Sequence, residues 1–362
     1  MNQRPPEMPT TVSAHADGQV SVVHLEHQWL VACTSDELRS KPISRTLQNT
    51  PIVLFRDGDG RAGALLDRCP HRNIPLSQGE IVEGDLQCAY HGWRFDTEGT
   101  CTRIPGLCRK LDSAGRNATR HATLEQDGFV WVYTSADVQP RCRPFELPDL
   151  ASKGYRTVRR QVDFPGSLHA TVENALDVPH TAFLHRGLFR GSGERNEITA
   201  LVTRTATSVQ AQYIGEPRPA GIAARVLAPS GGLVTHYDRF ILPSIAQVDY
   251  ALGEDSHFLV TAICTPVTDF ETRVYAVISF RLPLPGWLVQ PIVTPIALRI
   301  FRQDCEILGL QTQQIERFGG ERFISTEIDI LGGQVWRLLR RAAEDRIDDD
   351  DRPWKQEVRM LV

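Results

Sequence analysis

Several things missing from this chain narrow its reading first. No basic start is followed by an apolar run: Met1 to Gly18 is polar and carries proline. That argues against a secretory leader and for a poorly ordered tail over 1–26. No Gly-x-Gly-x-x-Gly run follows a strand-like segment, so the chain has no nicotinamide or flavin fingerprint of its own. Internal repeats and long low-complexity stretches are also lacking. The net charge of −4 gives no reason to expect nucleic acid or an anionic membrane as the main partner. The most apolar stretch, Leu282 to Ile300, carries Arg299 and is broken by Pro283, Pro285, Pro291 and Pro295. Those prolines would leave backbone groups unpaired in lipid, so a greasy pocket wall or a surface touching a membrane is expected there instead of a span. Eight cysteines are too few for a disulfide scaffold in a chain of 362 residues. With no export signal the expected compartment is cytoplasmic and the thiols reduced, so clustered Cys and His point to metal or catalysis.

What is present suits a globular protein, with 41% hydrophobic and 23% charged residues and length for one large domain or two ordinary ones. From about Trp29 to Thr134 short strand-like runs alternate with turn residues, as in Pro51 to Phe55 before Asp57-Gly58-Asp59-Gly60, and Gly128 to Tyr133 after Gln126-Asp127. Only Asp36 to Arg39 hints at a helical turn. An all-β domain over 27–138 is expected. Gln139 to Pro148 holds three prolines and no periodicity, which suits a linker. Beyond it come strand-like runs at Tyr155 to Phe164, Glu197 to Thr203, Gly232 to Leu242, His257 to Thr265 and Thr272 to Leu282. Helices are expected over Ser167 to Asp177 and over roughly Thr294 to Arg317. The second domain, 139–362, therefore reads as α+β with an antiparallel sheet.

Cys69-Pro70-His71, sixteen residues, then Cys88-Ala89-Tyr90-His91 is the sharpest feature. Two thiolates and two imidazoles are the donor set of a 2Fe-2S cluster in which two His replace two Cys on one iron. The bland alternative is a Cys2His2 zinc site, but those begin with two closely spaced cysteines and end with paired histidines, whereas each pair here mixes the two. Cys101 and Cys108, and likewise Cys33, Cys142 and Cys264, read as surface or small-core thiols.

A second donor set lies further on. His180 and His185 follow Pro179 closely enough to converge on one ion, and a non-heme iron(II) site would need a carboxylate beside them. On the late helix Ile300, Phe301, Asp304, Ile307, Leu308 and Gln311 share one side. An acid on an apolar face is costly unless something positive meets it, so Asp304 either completes a metal site or pairs with Arg299 or Arg302. Glu306 and Glu316 fall off that face. His169, His236 and His257 read as satisfied core or surface histidines, His121 as a loop residue, and Asp348 to Asp351 as a solvated charge run before a strand-like end.

The run CPHRNIPLSQGEIVEGDLQCAYHGWRF resembles the Rieske domain family, and Glu173 to His185 (ENALDVPHTAFLH) resembles the catalytic domain of Rieske oxygenases. Loop positions such as Asn73, Ile74, Ala89 and Tyr90 lack the further cysteines of respiratory Rieske proteins. The resemblance implies an α+β oxygenase component: an N-terminal Rieske domain, then a helix-grip-like antiparallel-sheet domain with a long C-terminal helix. It implies Cys69, His71, Cys88 and His91 as cluster ligands and His180, His185 and Asp304 as ligands of a mononuclear Fe(II). Asp177 would bridge His91 of a neighbouring chain to His180 in a head-to-tail homotrimer, unless it is merely a water-exposed acid at a helix end. Asn174 is counted with Asp177 as a candidate catalytic residue. The implied partners are O2 and a ferredoxin or flavin-containing ferredoxin reductase drawing on NAD(P)H. The substrate is in no motif; apolar segments of the second domain suggest a hydrophobic molecule, and a resemblance by length and single-chain pattern to the monooxygenase and demethylase branch, with its ketosteroid hydroxylases and sterol-modifying oxygenases, implies a steroid or sterol first. An aromatic O- or N-demethylase, expected to show a cationic pocket residue, or a plain electron carrier, are the other readings.

Overall fold

The computed structural model describes residues 21–108, 115–185, 196–216, 233–254, 256–283, 286–347 and 353–361, with backbone alone for 286–294. Most of the expected tail and the Asp348 to Asp351 run lie outside them.

Eleven short strands come first: β1 (Trp29–Thr34), β2 (Ile43–Leu47), β3 (Thr50–Arg56), β4 (Ala62–Leu66), β5 (Glu80–Val82), β6 (Asp85–Gln87), β7 (Arg94–Phe95), β8 (Cys101–Arg103), β9 (Arg120–His121), β10 (Thr123–Gln126) and β11 (Phe129–Tyr133). They form three small sheets, ordered β1-β11-β10, β2-β3-β4-β9 and β5-β6-β7-β8. Three of the hairpins turn on two residues with positive φ, namely Gln48-Asn49, Glu83-Gly84 and Asp127-Gly128. This turn geometry matches the strand twist and fixes register, which is why such short strands pair in one way.

The remaining strands are β12 (Arg156–Phe164), β13 (Glu197–Arg204), β14 (Ser208–Ile214), β15 (Val234–Ile241), β16 (Ile245–Leu252), β17 (Ser256–Thr268), β18 (Glu271–Arg281) and β19 (Trp354–Leu361). They make one antiparallel eight-stranded sheet, ordered β12-β18-β17-β16-β15-β14-β13-β19. Helices α1 (Leu168–Leu176), α2 (Thr181–Leu184), α3 (Gly286–Phe318) and α4 (Gly332–Ala343) complete the described residues. The Ser167 hydroxyl accepts a hydrogen bond from the Ala170 N–H at 3.2 Å and so caps α1.

Strand alternation divides the large sheet into two apolar faces. Ala200, Ala211, Phe240, Ala262 and Ala276 join Leu168 and Val172 of α1 and Val335 and Leu339 of α4 in one core. Ile245, Ile263, Tyr275 and Val277 look the other way, onto Trp29, Val31, Phe129, Trp131 and Tyr133. The sheet's back is thus covered by the β1-β11-β10 sheet, and its front carries the helices. Trp131 and Tyr133 are fully buried at this junction. Burying an aromatic of that size removes 150–250 Å² from water, on the order of 3–5 kcal/mol each to truncate.

Four details depart from expectation. Helix α3 begins at Gly286, ahead of Thr294, so Pro291 and Pro295 lie inside it. Each removes one backbone donor, a loss the remaining turns of a 33-residue helix absorb. His121 is a buried strand residue whose Nδ1 meets the Tyr133 carbonyl at 2.9 Å, not a loop residue. Asp36 to Arg39 forms turns and bends, with no helix. Strands β14 and β16 and helix α4 were not expected. Among the described residues no helix is long and apolar enough to cross a membrane.

Candidate metal centres

The first donor set sits on two loops with the same backbone wiring. Cys69 N–H donates to Ile74 O at 2.9 Å and Asn73 N–H returns to Cys69 O; Cys88 N–H donates to Trp93 O at 2.8 Å and Gly92 N–H returns to Cys88 O. The fifth residue of each loop has positive φ, 62° at Asn73 and 69° at Gly92. Packing is also tight at the second, where a Cβ would lie 3.0 Å from Pro105 Cγ. The matching loops turn both cysteines inward and both histidines outward. Cys69 and Cys88 are buried, while the His71 and His91 rings lie 4.5 Å apart. Trp93 stacks on His71 at 4.7 Å and 6°, and Tyr90, 61% exposed, lies against His91.

Burial pushes the Cys69 thiol up to about 11, with Cys88 beside it adding to the rise. A thiol held in this way keeps its proton unless a metal replaces it. His71 Nδ1 is buried with no hydrogen-bond partner. Buried thiols under an outer pair of imidazoles, one with an orphaned nitrogen, fit a two-iron cluster with sulfur ligands on the inner iron and nitrogen ligands on the outer one.

The second set is assembled from two separate segments. Helix α1 ends at Asp177, and the chain turns through Val178-Pro179 so that His180 and His185 flank the single turn of α2. Asp304 comes from the middle of α3. His180 Nε2 and His185 Nε2 are 3.2 Å apart, and Asp304 Oδ1 lies 3.1 Å from the second and 3.8 Å from the first. Among the described residues these three donor atoms all lie within 4.8 Å of one another, close enough to share one metal ion. Metal–ligand bonds of about 2.1 Å at angles between about 90° and 130° separate neighbouring donors by roughly 3.0–3.8 Å, so the spacing fits one ion.

Hydrogen bonds point the same way. The His185 ring N–H at Nδ1 donates to Gln303 Oε1 at 3.0 Å, which turns Nε2 toward His180 and Asp304. Burial opposes charge on His185, but Asp304 and Gln303 outweigh it and raise its pKa above the ordinary value. Asp304 is buried and its Oδ1 has no hydrogen-bond partner. It pairs with neither Arg299 nor Arg302, and Arg302 instead lies 3.9 Å from Glu306. A buried carboxylate oxygen without a donor, facing two imidazole nitrogens, is a cation site by its chemistry.

Asp177 Oδ2 accepts from the His180 backbone N–H at 3.1 Å and lies 3.3 Å from His180 Nδ1, which is otherwise unpartnered. Asn174 and Asp177 both face a cavity of about 420 Å³ beside the second donor set. Glu173, His169 and Tyr213 also line it, and sequence reasoning gave them no role. Trp93 and Gln303 were adjacent to recognised ligands, and that adjacency was the available signal.

Comparisons with known proteins now bear on these centres. Residues 28–114 match the family model of the Rieske [2Fe-2S] domain, and 166–345 match that of the vanillate O-demethylase oxygenase C-terminal domain. The chain is 31% identical over 363 aligned residues to the vanillate O-demethylase oxygenase subunit of Pseudomonas sp. (strain HR199 / DSM 7063), covering 90% of this chain and 97% of that one. It is 35% identical to the dicamba O-demethylase oxygenase component of Stenotrophomonas maltophilia over 165 residues, 45% of this chain and 48% of that one. The chain spans about half the length of the first relatives it matches. A crystal structure of dicamba monooxygenase bound to 3,6-dichlorosalicylic acid has the same fold, with a TM-score of 0.72 at 24% identity, covering 90% of this chain and 99% of that one.

Proposed function

Because the chain belongs to the Rieske non-heme iron oxygenases, we propose that it is a terminal oxygenase that hydroxylates or oxidatively demethylates an aromatic substrate with O2. Cys69, His71, Cys88 and His91 hold the 2Fe-2S cluster, and His180, His185 and Asp304 hold a mononuclear iron. The observation that carries this is the convergence of Asp304 Oδ1 with two imidazole Nε2 atoms at 3.1 and 3.8 Å. Two His and one carboxylate on one side of an iron(II) ion leave coordination positions open for O2, which is the chemistry the metal supplies when bound. An electron carrier needs no such second centre.

The protein's own groups do the rest. Gln303 holds the His185 ring in the tautomer that presents Nε2. Asp177 is the link between centres, set against His180 and open to the cavity. Exposed His91 and Tyr90 make the cluster edge available to a neighbouring copy in a homotrimer and to a ferredoxin or flavin reductase.

The steroid or sterol that the resemblance implied first gives way to a smaller aromatic, since the relatives named above are demethylases of vanillate and dicamba. A cationic residue was the expected mark of an aromatic-acid enzyme. His236, on the sheet face that carries α1, is held protonated, but its two nitrogens meet Glu216 at 2.8 Å and Asp238 at 3.2 Å. With both donors engaged it offers nothing to a carboxylate. Arg322, on the wall of the 420 Å³ cavity, supplies the cation instead, which suits an aromatic methoxy acid.

Turnover is tested with a generic reductase and NADH against methoxyarenes, N-methyl heteroarenes, methoxybenzoates and steroids, following product and formaldehyde. About three irons per chain and substrate-dependent O2 uptake are expected; about two irons and no uptake would leave only an electron carrier.

A further inference from the structure

The two ligand loops differ in what they present to solvent. The second, Cys88 to Trp93, carries no arginine, lysine or acid, and Tyr90 lies against His91 at 3.8 Å. The first, Cys69 to Ile74, carries the half-buried His71 with Arg72 next to it and Arg68 just before the loop, both arginines exposed. Neither arginine has a carboxylate partner among the described residues; Arg68 Nε donates to Asn73 Oδ1 at 2.7 Å and so holds the loop. That sets them apart in this domain, where Arg45, Arg56, Arg61, Arg94, Arg103 and Arg120 each lie within ion-pair distance of an acid. The nearest acid in sequence, Asp67, is buried and turned away, accepting from Ser44 Oγ at 3.0 Å and from the Ser77 N–H and Oγ at 2.7 Å.

A single edge of the cluster cannot meet two proteins at once. The route through Asp177 seats a neighbouring copy against His91, so electrons must arrive from another side. Resting on the oxygenase reading above, we propose that the electron donor docks on the first loop, over His71, and that Arg68 and Arg72 receive a surface rich in Asp and Glu on that donor. The chemistry of the step narrows the donor further. A nicotinamide gives up a hydride, two electrons at once, whereas a 2Fe-2S cluster takes one. The donor is therefore a one-electron carrier, and an acidic 2Fe-2S ferredoxin, or a reductase domain of that kind, is the class that fits. Plant-type ferredoxins sit at lower potential than Rieske centres, so the transfer runs downhill. The ferredoxin is oxidised by one electron, the Rieske cluster is reduced by one, and no bond is made or broken at either arginine. Their part is electrostatic: complementary charge speeds encounter and fixes orientation, and salt screens it.

The competing partner for the same arginines is the neighbouring copy, whose Asp177 face carries Glu173 and Asp329. The two arrangements differ in one measurable respect. On a subunit contact Arg72 would hold the assembly together, and on a donor face it would not.

The test compares wild type with Arg72→Glu and Arg61→Glu, each as the assembled protein with its cluster oxidised. Both variants change net charge equally, but Arg61 stands in the turn between β3 and β4, outside the ligand loops. An acidic plant-type ferredoxin is the probe, its binding measured on resting protein and its reduction of the cluster followed by stopped-flow absorbance. At about 0.02 M salt Arg72→Glu should bind roughly tenfold more weakly and be reduced roughly tenfold more slowly, with the gap closing near about 0.5 M salt. Reduction by free reduced riboflavin, which needs no docking, should be unchanged, as should the mass of the assembly. An Arg72→Glu protein with wild-type binding and salt dependence overturns the proposal, as does an equal loss in Arg61→Glu. A variant whose assembly falls apart while ferredoxin still binds places Arg72 on the neighbour and also overturns it. Cluster reduction requires neither substrate nor the mononuclear iron. Wild type that ferredoxin reduces, but that turns over no substrate, overturns the oxygenase reading and leaves the docking face standing.

Discussion

Replacing Asp304 by Asn separates a metal ligand from an ion-pair partner, because the two roles predict opposite signs in metal-free protein. The carboxylate is buried, and its Oδ1 has no hydrogen-bond donor. A buried polar group left unsatisfied costs about 1–3 kcal/mol, more when charged. Neutralising it without changing shape should therefore leave chelated protein unchanged or about 1 kcal/mol more stable. With ferrous ion at about a hundred times its Kd, wild type should gain about 2.7 kcal/mol, or roughly 5–10 °C in Tm for a domain of this size. The Asn variant should lose that increment.

The pH of the experiment matters. His185 has a raised pKa in the folded protein, so its pairing with Asp304 stabilises metal-free protein below the ring's ordinary pKa and fades as pH rises through the folded value. Melts at pH 8, anaerobic and with the cluster intact, limit that contribution. A variant destabilised by more than about 2 kcal/mol without metal, yet still raised by ferrous ion, would refute the ligand assignment, because the carboxylate would then serve the protein and not a cation.

Two further substitutions test the surroundings of the centres. Asp177→Ala should keep about three irons per chain while turnover falls about 10–100-fold, as metal content and product formation on one preparation will show; full turnover would remove Asp177 from the route. Burial opposes a charged His236, but Asp238 and Glu216 outweigh it and lift its pKa from 6.5 to about 10. Its contribution is thus full below 6.5 and lost as pH rises toward 10. His236→Gln should cost about 3 kcal/mol in urea melts at pH 7 and converge on wild type near pH 10; a constant difference across that range would mean that packing, not charge, is lost.

The cluster loops were legible because their information is local. Cys, His, Gly and turn residues within Cys69 to Trp93 specify both donors and the backbone that aims them. The eight-stranded sheet was half legible for a similar reason: β17 and β18 read as apolar runs, whereas β14 alternates Val209, Ala211 and Tyr213 with polar residues over only seven positions. Helix α4 opens on Gly332-Gly333 with no side-chain cap, so nothing announces its start. Asp304 was half visible, as an acid on the apolar side of a helix, but whether it met arginine or imidazole depended on how α3 crosses α1. The cavity was not visible at all. Glu173, Tyr213, Gln311 and Arg322 come from four segments whose meeting is fixed by sheet order and helix packing, and each alone is an unremarkable polar residue. What makes Glu173 chemically distinct is the acids around it, contributed by α1, by the end of α3 and by the approach to α4. Burial and like charge act together only after the chain has closed, so a raised carboxyl pKa is a property of the tertiary structure and leaves no mark on the residues next to it in sequence.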